Sequence, residues 1–78
     1  MAKIMDYIDY EKLVLGAYNK HLQSPYQDLW KKFTQKELID YAMIKCKRAS
    51  LIDNKEKIKD DIEDAINLLV FALALSKQ

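Results

Sequence analysis

The chain has few of the residues that form turns. It contains one glycine and one proline in 78 residues, while 50% of the residues are apolar and 32% are charged. A protein rich in strands needs many more turn residues, whereas long helices joined by short loops suit this composition. No linker or repeat interrupts the sequence. We therefore predict an all-α fold, organised as a single domain over residues 1–78.

Cysteine, charge imbalance and long apolar runs are also scarce. The single cysteine, Cys46, excludes an internal disulfide, and no Cys/His pairs occur at the spacing of a zinc module. Thirteen basic and twelve acidic residues give a net charge of +1, which offers no field for coating DNA. The longest apolar run, from Leu68 to Leu75, is much shorter than the about 20 residues of a membrane span. We expect a cytoplasmic protein without a membrane segment.

Apolar spacing predicts a first helix that begins near Asp6 or Asp9 and ends near residue 22. Gly16 lies in its middle, where it either kinks the helix or admits another backbone closely. The segment 24–27, with serine before proline and glutamine two residues after the proline, predicts the start of a short helix that ends near Lys32.

The clearest helix signal is a capping box at Thr34 and Glu37. Threonine can cap the helix while glutamate reaches back to the capping residue, and Phe33 and Leu38 flank the pair as a hydrophobic staple. This pattern predicts a helix over residues 35–52.

Asp53, with Glu56 three residues later, predicts the cap of a last helix that continues to about Lys77. The short connection requires the last two main helices to form a tight antiparallel hairpin. The expected architecture is a small helical bundle with three main helices, one short helix and a C-terminal helical hairpin.

Two basic residues of the predicted 35–52 helix lie in or beside its apolar stripe, where charged side chains are unusual. Lys45 falls near the middle of its apolar stripe and Arg48 at the edge. A structural interpretation is that the lysine stem passes the core to reach water and that Arg48 pairs with a carboxylate of a neighbouring helix. The functional alternative is a site for an anion or a phosphate group.

The last helix offers carboxylates at neighbouring positions. Asp61 and Asp64 lie three residues apart and could share a hard cation such as Mg²⁺, with Asn67 adding a carbonyl one turn later. Acidic residues are also ordinary in the early turns of a helix, where they favour its dipole. Tyr26 and Trp30 could stack on a base, although aromatic residues at helical spacing more often serve packing.

The segment from Leu68 to Leu75 is apolar at every helical angle, so it must be covered on all sides. Either the first helix wraps this segment or a second copy of the protein covers it. We expect a homo-oligomer in which Val70, Phe71 and Ala74 lie at the contact between chains, with Phe71 as the anchor.

Together these segments resemble a known family. Tyr26 and Trp30, then Lys45-Cys46-Lys47-Arg48, then Asp60-Asp61-Ile62-Glu63-Asp64-Ala65-Ile66-Asn67, are similar to the nucleotide-modification-associated all-α domains of phages and bacteria. The resemblance extends more distantly to the MazG and dimeric dUTPase class of all-α nucleotide pyrophosphohydrolases. It covers about residues 24–76.

The resemblance implies an oligomeric bundle in which Lys45 and Arg48 face nucleotide phosphates while Asp61 and Asp64 hold Mg²⁺. The MazG class uses acidic pairs on two helices, but here the helix carrying Lys45 and Arg48 has no such pair. Since metal-assisted hydrolysis needs that charge, the sequence favours nucleotide binding without turnover, as in a phage accessory protein. A protein-interaction module, such as an inhibitor or assembly factor, is the alternative, and a pyrophosphohydrolase ranks third.

Overall fold

The computed structural model describes residues 7–25 and 28–77, and it confirms the predicted all-α architecture. The main helices are α1 (Tyr7–Leu22), α2 (Gln35–Leu51) and α3 (Lys55–Leu75), and a short 3-10 helix spans Leu29–Lys32. No strand occurs within the described residues. As predicted, α2 and α3 form a C-terminal hairpin.

The start of α2 was predicted correctly from its capping box. Thr34 Oγ1 accepts a hydrogen bond from the Glu37 backbone N–H at 3.1 Å, and Glu37 Oε1 accepts one from the Thr34 N–H at 2.8 Å. Two backbone N–H groups at the N-terminus of α2 therefore have side-chain hydrogen-bond partners. The first residue of α2 is therefore fixed by local chemistry alone.

The predicted cap of α3 was wrong by one residue. Asn54, rather than Asp53, caps the helix, and its Oδ1 accepts hydrogen bonds from the N–H groups of Glu56 at 3.0 Å and Lys57 at 3.1 Å. Asparagine and aspartate are equally good capping residues, so the sequence does not choose between adjacent ones. The helix also ends at Leu75, earlier than the expected Lys77.

The short helix differs from its prediction as well. It begins at Leu29 and is a 3-10 helix, whereas Ser24 and Pro25 lie in the bend and turn that follow α1. Of the predicted start segment, residues 26 and 27 lie outside the described residues.

The three main helices form a layer with α3 in the middle. α3 packs extensively against α2 and less extensively against α1, while direct contact between α1 and α2 is slight. α1 continues through Gly16 as one helix without a positive φ angle. A Cβ atom at Gly16 would lie 3.7 Å from Glu63 Oε2, which is an ordinary contact. Neither of the two structural reasons predicted for this glycine is therefore needed.

Small residues line the seams between the helices. Within the described residues, the buried apolar side chains are Ala17, Leu38, Ala42, Ala65 and Ala72. Alanine lets helix backbones approach closely but buries little apolar area. Leu38 is the largest apolar side chain that is fully buried. The monomer therefore has a thin core, and both surfaces of the layer are open.

None of the helices within the described ranges combines the length and apolar character that crossing a bilayer requires.

Candidate functional site

Arg48 and Asp61 join α2 to α3 through a two-pronged ion pair. Arg48 Nε donates to Asp61 Oδ2 at 2.9 Å, and Arg48 Nη2 donates to Asp61 Oδ1. Asp61 is 1% exposed because the arginine covers it, while the arginine side chain itself remains 60% exposed. The hydrogen bonds from Arg48 hold the pKa of the Asp61 carboxyl below its usual value, against the opposing effect of burial.

Asp64 accepts from lysines on both neighbouring helices. Lys20 Nζ of α1 lies 2.9 Å from Asp64 Oδ1, and Lys45 Nζ of α2 lies 3.1 Å from Asp64 Oδ2. Lys20 also reaches Asp60, with 3.3 Å to its Oδ1 and 3.0 Å to its backbone oxygen. Burial lowers the pKa of Lys20, but hydrogen bonds to Asp64 and Asp60 outweigh this effect and the net pKa is raised.

The side chain of Asn67 has a structural contact. Its Nδ2 donates to the backbone oxygen of Ala17 at 2.8 Å, which ties α3 to α1. Asp61 and Asp64 thus face cationic partners, and the described residues contain no cluster of three or more histidine, cysteine, aspartate or glutamate side chains that could hold a metal ion. Binding of Mg²⁺ by Asp61, Asp64 and Asn67 stays a prediction, in which the ion competes with Arg48 and the lysines.

One surface of the layer contains a cleft of about 370 Å³, which we call the aromatic cleft. Its walls carry rings and charged groups from all three main helices and the 3-10 helix: Lys20, His21, Ser24, Leu29, Trp30, Phe33, Lys45, Asp64, Asn67, Leu68 and Phe71. Phe71 stacks on Trp30 with ring centroids 4.6 Å apart, and His21 lies 4.8 Å from Phe71.

The cleft brings together part of the predicted ligand site. Lys45 and Trp30 line it with Asp64 and Asn67, whereas Arg48 does not. Tyr26 lies outside the described residues. Lys20, which joins α1 to this cluster, was missed because it lies 44 positions from Asp64 and no local pattern reports such a contact.

The residues predicted for an oligomer contact lie in different surroundings. Phe71 is half-buried and its ring is occupied within the chain by Trp30 and His21. Val70 is 49% exposed, and Ala74 is exposed. Of the three, Phe71 therefore offers the least free surface to another chain, and the segment from Leu68 to Leu75 is only partly covered by α1 and the 3-10 helix.

The opposite surface of the layer is apolar. One groove, between α1 and α3, is lined entirely by uncharged side chains: Tyr10, Leu13, Val14, Ile66, Leu69, Val70 and Leu73. A second groove, between α2 and α3, is lined by Ile39, Ala42, Met43, Cys46, Lys47 and Leu69. Leu69 lines both grooves, so they join over α3. We call these two grooves together the apolar face.

The two surfaces are opposite because of the helical repeat. At about 100° per residue, Ile66, Leu69 and Leu73 project from the side of α3 that is opposite Asp64 and Phe71. The aromatic cleft and the apolar face are therefore separate sites on one layer.

No protein-family model, curated protein or solved structure matches the chain. The assignment of function thus depends on the geometry of the two surfaces.

Proposed function

We propose that this protein is a helical protein-interaction module that binds another polypeptide chain through its apolar face. The observation that carries the proposal is the distribution of large apolar side chains. In the described residues, Leu38 is the largest fully buried apolar side chain, while sixteen large apolar side chains are exposed. Eight of these side chains line the two grooves of the apolar face: Tyr10, Leu13, Val14, Ile39, Met43, Leu69, Val70 and Leu73. Soluble monomers rarely expose a large continuous apolar patch, which marks a surface for binding.

Free energy supports the same conclusion. A single core in a chain of this size supplies only about 3–5 kcal/mol of net stability. Covering one large side chain contributes roughly 1.5–3 kcal/mol, so burying even a few residues of the apolar face would contribute as much as the core. A partner that covers this face would therefore complete the fold as well as bind to it.

The chemistry of the face also favours a protein partner. Its grooves contain no acidic residue and one basic residue, Lys47, so they offer little to an ionic ligand. Side chains such as Tyr10 and Met43, each 63% exposed, are among the residue types enriched at protein interfaces. The grooves run between helices and are suited to receive apolar side chains of a helical partner.

Light scattering combined with binding of an apolar fluorescent dye tests the proposal. We expect the purified protein either to exceed its monomer mass or, as a monomer, to bind the dye strongly. Leu13→Lys, in a groove, should weaken both responses. Leu51→Lys is the matched control, because Leu51 is 72% exposed but lines neither groove.

A monomer that binds no dye would contradict the proposal. Equal effects of the two lysine substitutions would also contradict it, because the response would then not depend on the apolar face.

A second candidate function is binding of a small anionic aromatic ligand, such as a nucleotide, in the aromatic cleft. Two lysines, Lys20 and Lys45, share the single carboxylate of Asp64 among the residues that line the cleft, next to the Trp30 and Phe71 rings. This arrangement places two lysine ammonium groups beside a stacking surface, where a phosphate group would compete with Asp64 and Asp60 for them.

Trp30, the only tryptophan, reports directly on the cleft. Its emission should change when nucleoside mono-, di- or triphosphates are added, with and without Mg²⁺. Lys45→Ala should weaken the response, whereas Ile44→Ala, on the same helix but outside the cleft, should leave it unchanged. Constant emission with every nucleotide would remove this candidate.

A further inference from the structure

Four apolar residues form a stripe along one side of α3: three of them line the apolar face, and Ile62 extends the stripe at the same helical angle. Ile62, Ile66, Leu69 and Leu73 are spaced by four, three and four positions, which is the heptad spacing of helices that pack lengthwise against another helix. Ile62 and Leu69 are each 47% exposed, and Leu73 is 62% exposed. The stripe thus has the pattern of a helix–helix contact whose second helix is missing from the monomer.

The stripe has the same spacing in both chain directions. Its centre lies between residues 67 and 68, with Ile66 and Leu69 equidistant from that point and Ile62 and Leu73 equidistant farther out. An antiparallel copy of α3 therefore matches the stripe: Leu69 of the copy faces Ile66, and Leu73 of the copy faces Ile62. This match is the self-complementarity that a twofold interface requires.

We propose that a second copy of this chain covers the apolar face, with the two α3 helices antiparallel across a twofold axis between residues 67 and 68. The inference rests on the proposed function, because it names the partner of the same face. The oligomer predicted from the sequence is retained, but its centre moves from Phe71 to the stripe.

Charge is consistent with a second copy as the occupant. A twofold contact places each surface opposite itself, so a groove with net charge would repel its copy. The groove between α1 and α3 is uncharged, and the stripe at the centre carries no ionisable side chain. Lys47, the single charged lining residue, lies on α2 at the side of the face.

The available surface is also sufficient. A stable dimer buries about 800 Å² on each partner, which is roughly an eighth of the 6594 Å² that this chain exposes. The apolar face includes residues of all three main helices, and the stripe alone extends roughly 16 Å along α3 at 1.5 Å per residue. Stacking two layers in this way gives a six-helix assembly with a core of large side chains.

The first test is the mass of the full chain and two glutamate variants, measured by light scattering after gel filtration. The wild type should have twice the monomer mass. Leu73→Glu should raise the dissociation constant of the dimer at least about tenfold, because it places an unpaired carboxylate against Ile62 of the copy in an apolar contact. Ile44→Glu should remain dimeric: Ile44 is 60% exposed, nearly the same as Leu73, but lies outside the apolar face.

The second test measures the register by disulfide formation, and it does not depend on a charged substitution being tolerated. In a Cys46→Ser background, Ile66→Cys and Leu69→Cys chains are oxidised separately and as a mixture. Antiparallel pairing places these two positions opposite each other, within disulfide reach. The mixture should therefore form cross-linked dimers containing one chain of each type, faster than either chain alone.

Each other outcome has a defined meaning. Faster cross-linking of the separate Leu69→Cys chain indicates parallel pairing, and absence of cross-linking in a dimer indicates another interface; both overturn the inference. A wild-type monomer that binds the apolar dye overturns the second copy as partner but leaves the proposed function intact, with a helix of another protein as the occupant. A monomer that binds no dye overturns both.

Discussion

The aromatic cleft and the apolar face are opposite surfaces of one helical layer. They differ in how many of their side chains have contacts within the chain. In the cleft, Lys20 and Lys45 pair with Asp64, and Phe71 stacks on Trp30. On the apolar face, large side chains such as Leu73 have no comparable cover. The charged groups of the cleft are thus paired within the chain, whereas the large side chains of the apolar face remain exposed in the monomer.

This difference shows where a small all-α chain obtains its stability. Charged pairs near water contribute little each, and buried alanines bring helices together without burying much apolar area. Under the proposed association, further apolar free energy would be gained when a second chain covers the apolar face. Folding and association are therefore expected to be coupled.

The largest effect should follow from a substitution in the buried core between the helices, on which both surfaces depend. Leu38→Ala removes the only large apolar side chain among the fully buried described residues, and we expect the free energy of unfolding to fall by about 2–5 kcal/mol. Chemical denaturation at fixed protein concentration measures this change. Ile44→Ala, at an exposed position of the same helix, is the control, and equal losses from both substitutions would contradict the assigned core.

Acid should act on the cleft side of the layer through the pair of Asp61 and Arg48. Because the folded-state pKa of Asp61 is depressed, the pair stabilises the fold above the unfolded-state pKa of about 3.9, and this contribution is lost as the pH falls through the lower folded-state value. The melting temperature of the wild type should therefore fall in this range.

Asp61→Asn should make the melting temperature less dependent on acid pH, because one titrating group is removed. Asp40→Asn, on the exposed surface of α2, is the matched control and should retain the wild-type dependence. If both variants retain it, Asp61 does not contribute to acid unfolding.

Capping allows a smaller test that involves neither surface. Thr34→Ala removes the side-chain acceptor for the Glu37 N–H and should cost about 0.5–2 kcal/mol of stability. Thr34→Ser keeps the hydroxyl and should restore most of the loss. Denaturant titration of the three proteins gives both values, and an alanine variant as stable as the wild type would show that this cap contributes nothing.

The smallest predicted effect is a gain at the seam between α1 and α3. Gly16→Ala should stabilise the protein by about 0.5–1 kcal/mol, because the new Cβ meets Glu63 at an ordinary distance and alanine favours helix. The gain is measured as an increase in the denaturant midpoint. A loss would show that α1 and α3 approach more closely here than the structure indicates.

Local chemistry made the helices predictable from sequence. The capping box at Thr34 and Glu37 determines where α2 begins, through contacts three residues apart. The α3 cap was placed at Asp53 instead of Asn54 because both residue types cap well and they are adjacent. The sequence thus allowed the number of helices to be predicted, but neither the 3-10 form of the short helix nor every helix end.

Contacts between distant residues explain what the sequence did not reveal. Helical periodicity identified Lys45 and Arg48 as unusual, and the structural interpretation of Arg48, pairing with a carboxylate of a neighbouring helix, is confirmed. Helical periodicity could not show that Lys20 pairs with Asp64, or that the 3-10 helix places Trp30 against Phe71. Both features depend on how the separate helices pack, which periodicity within one helix does not encode.

The most direct test of the account is sedimentation equilibrium of the unmodified protein over a hundredfold range of concentration. The mass should increase reversibly from 9.2 kDa at the lowest concentrations towards twice that value. Tyrosine and tryptophan absorbance makes the range accessible. A constant mass of 9.2 kDa throughout would contradict the claim that a second copy covers the apolar face.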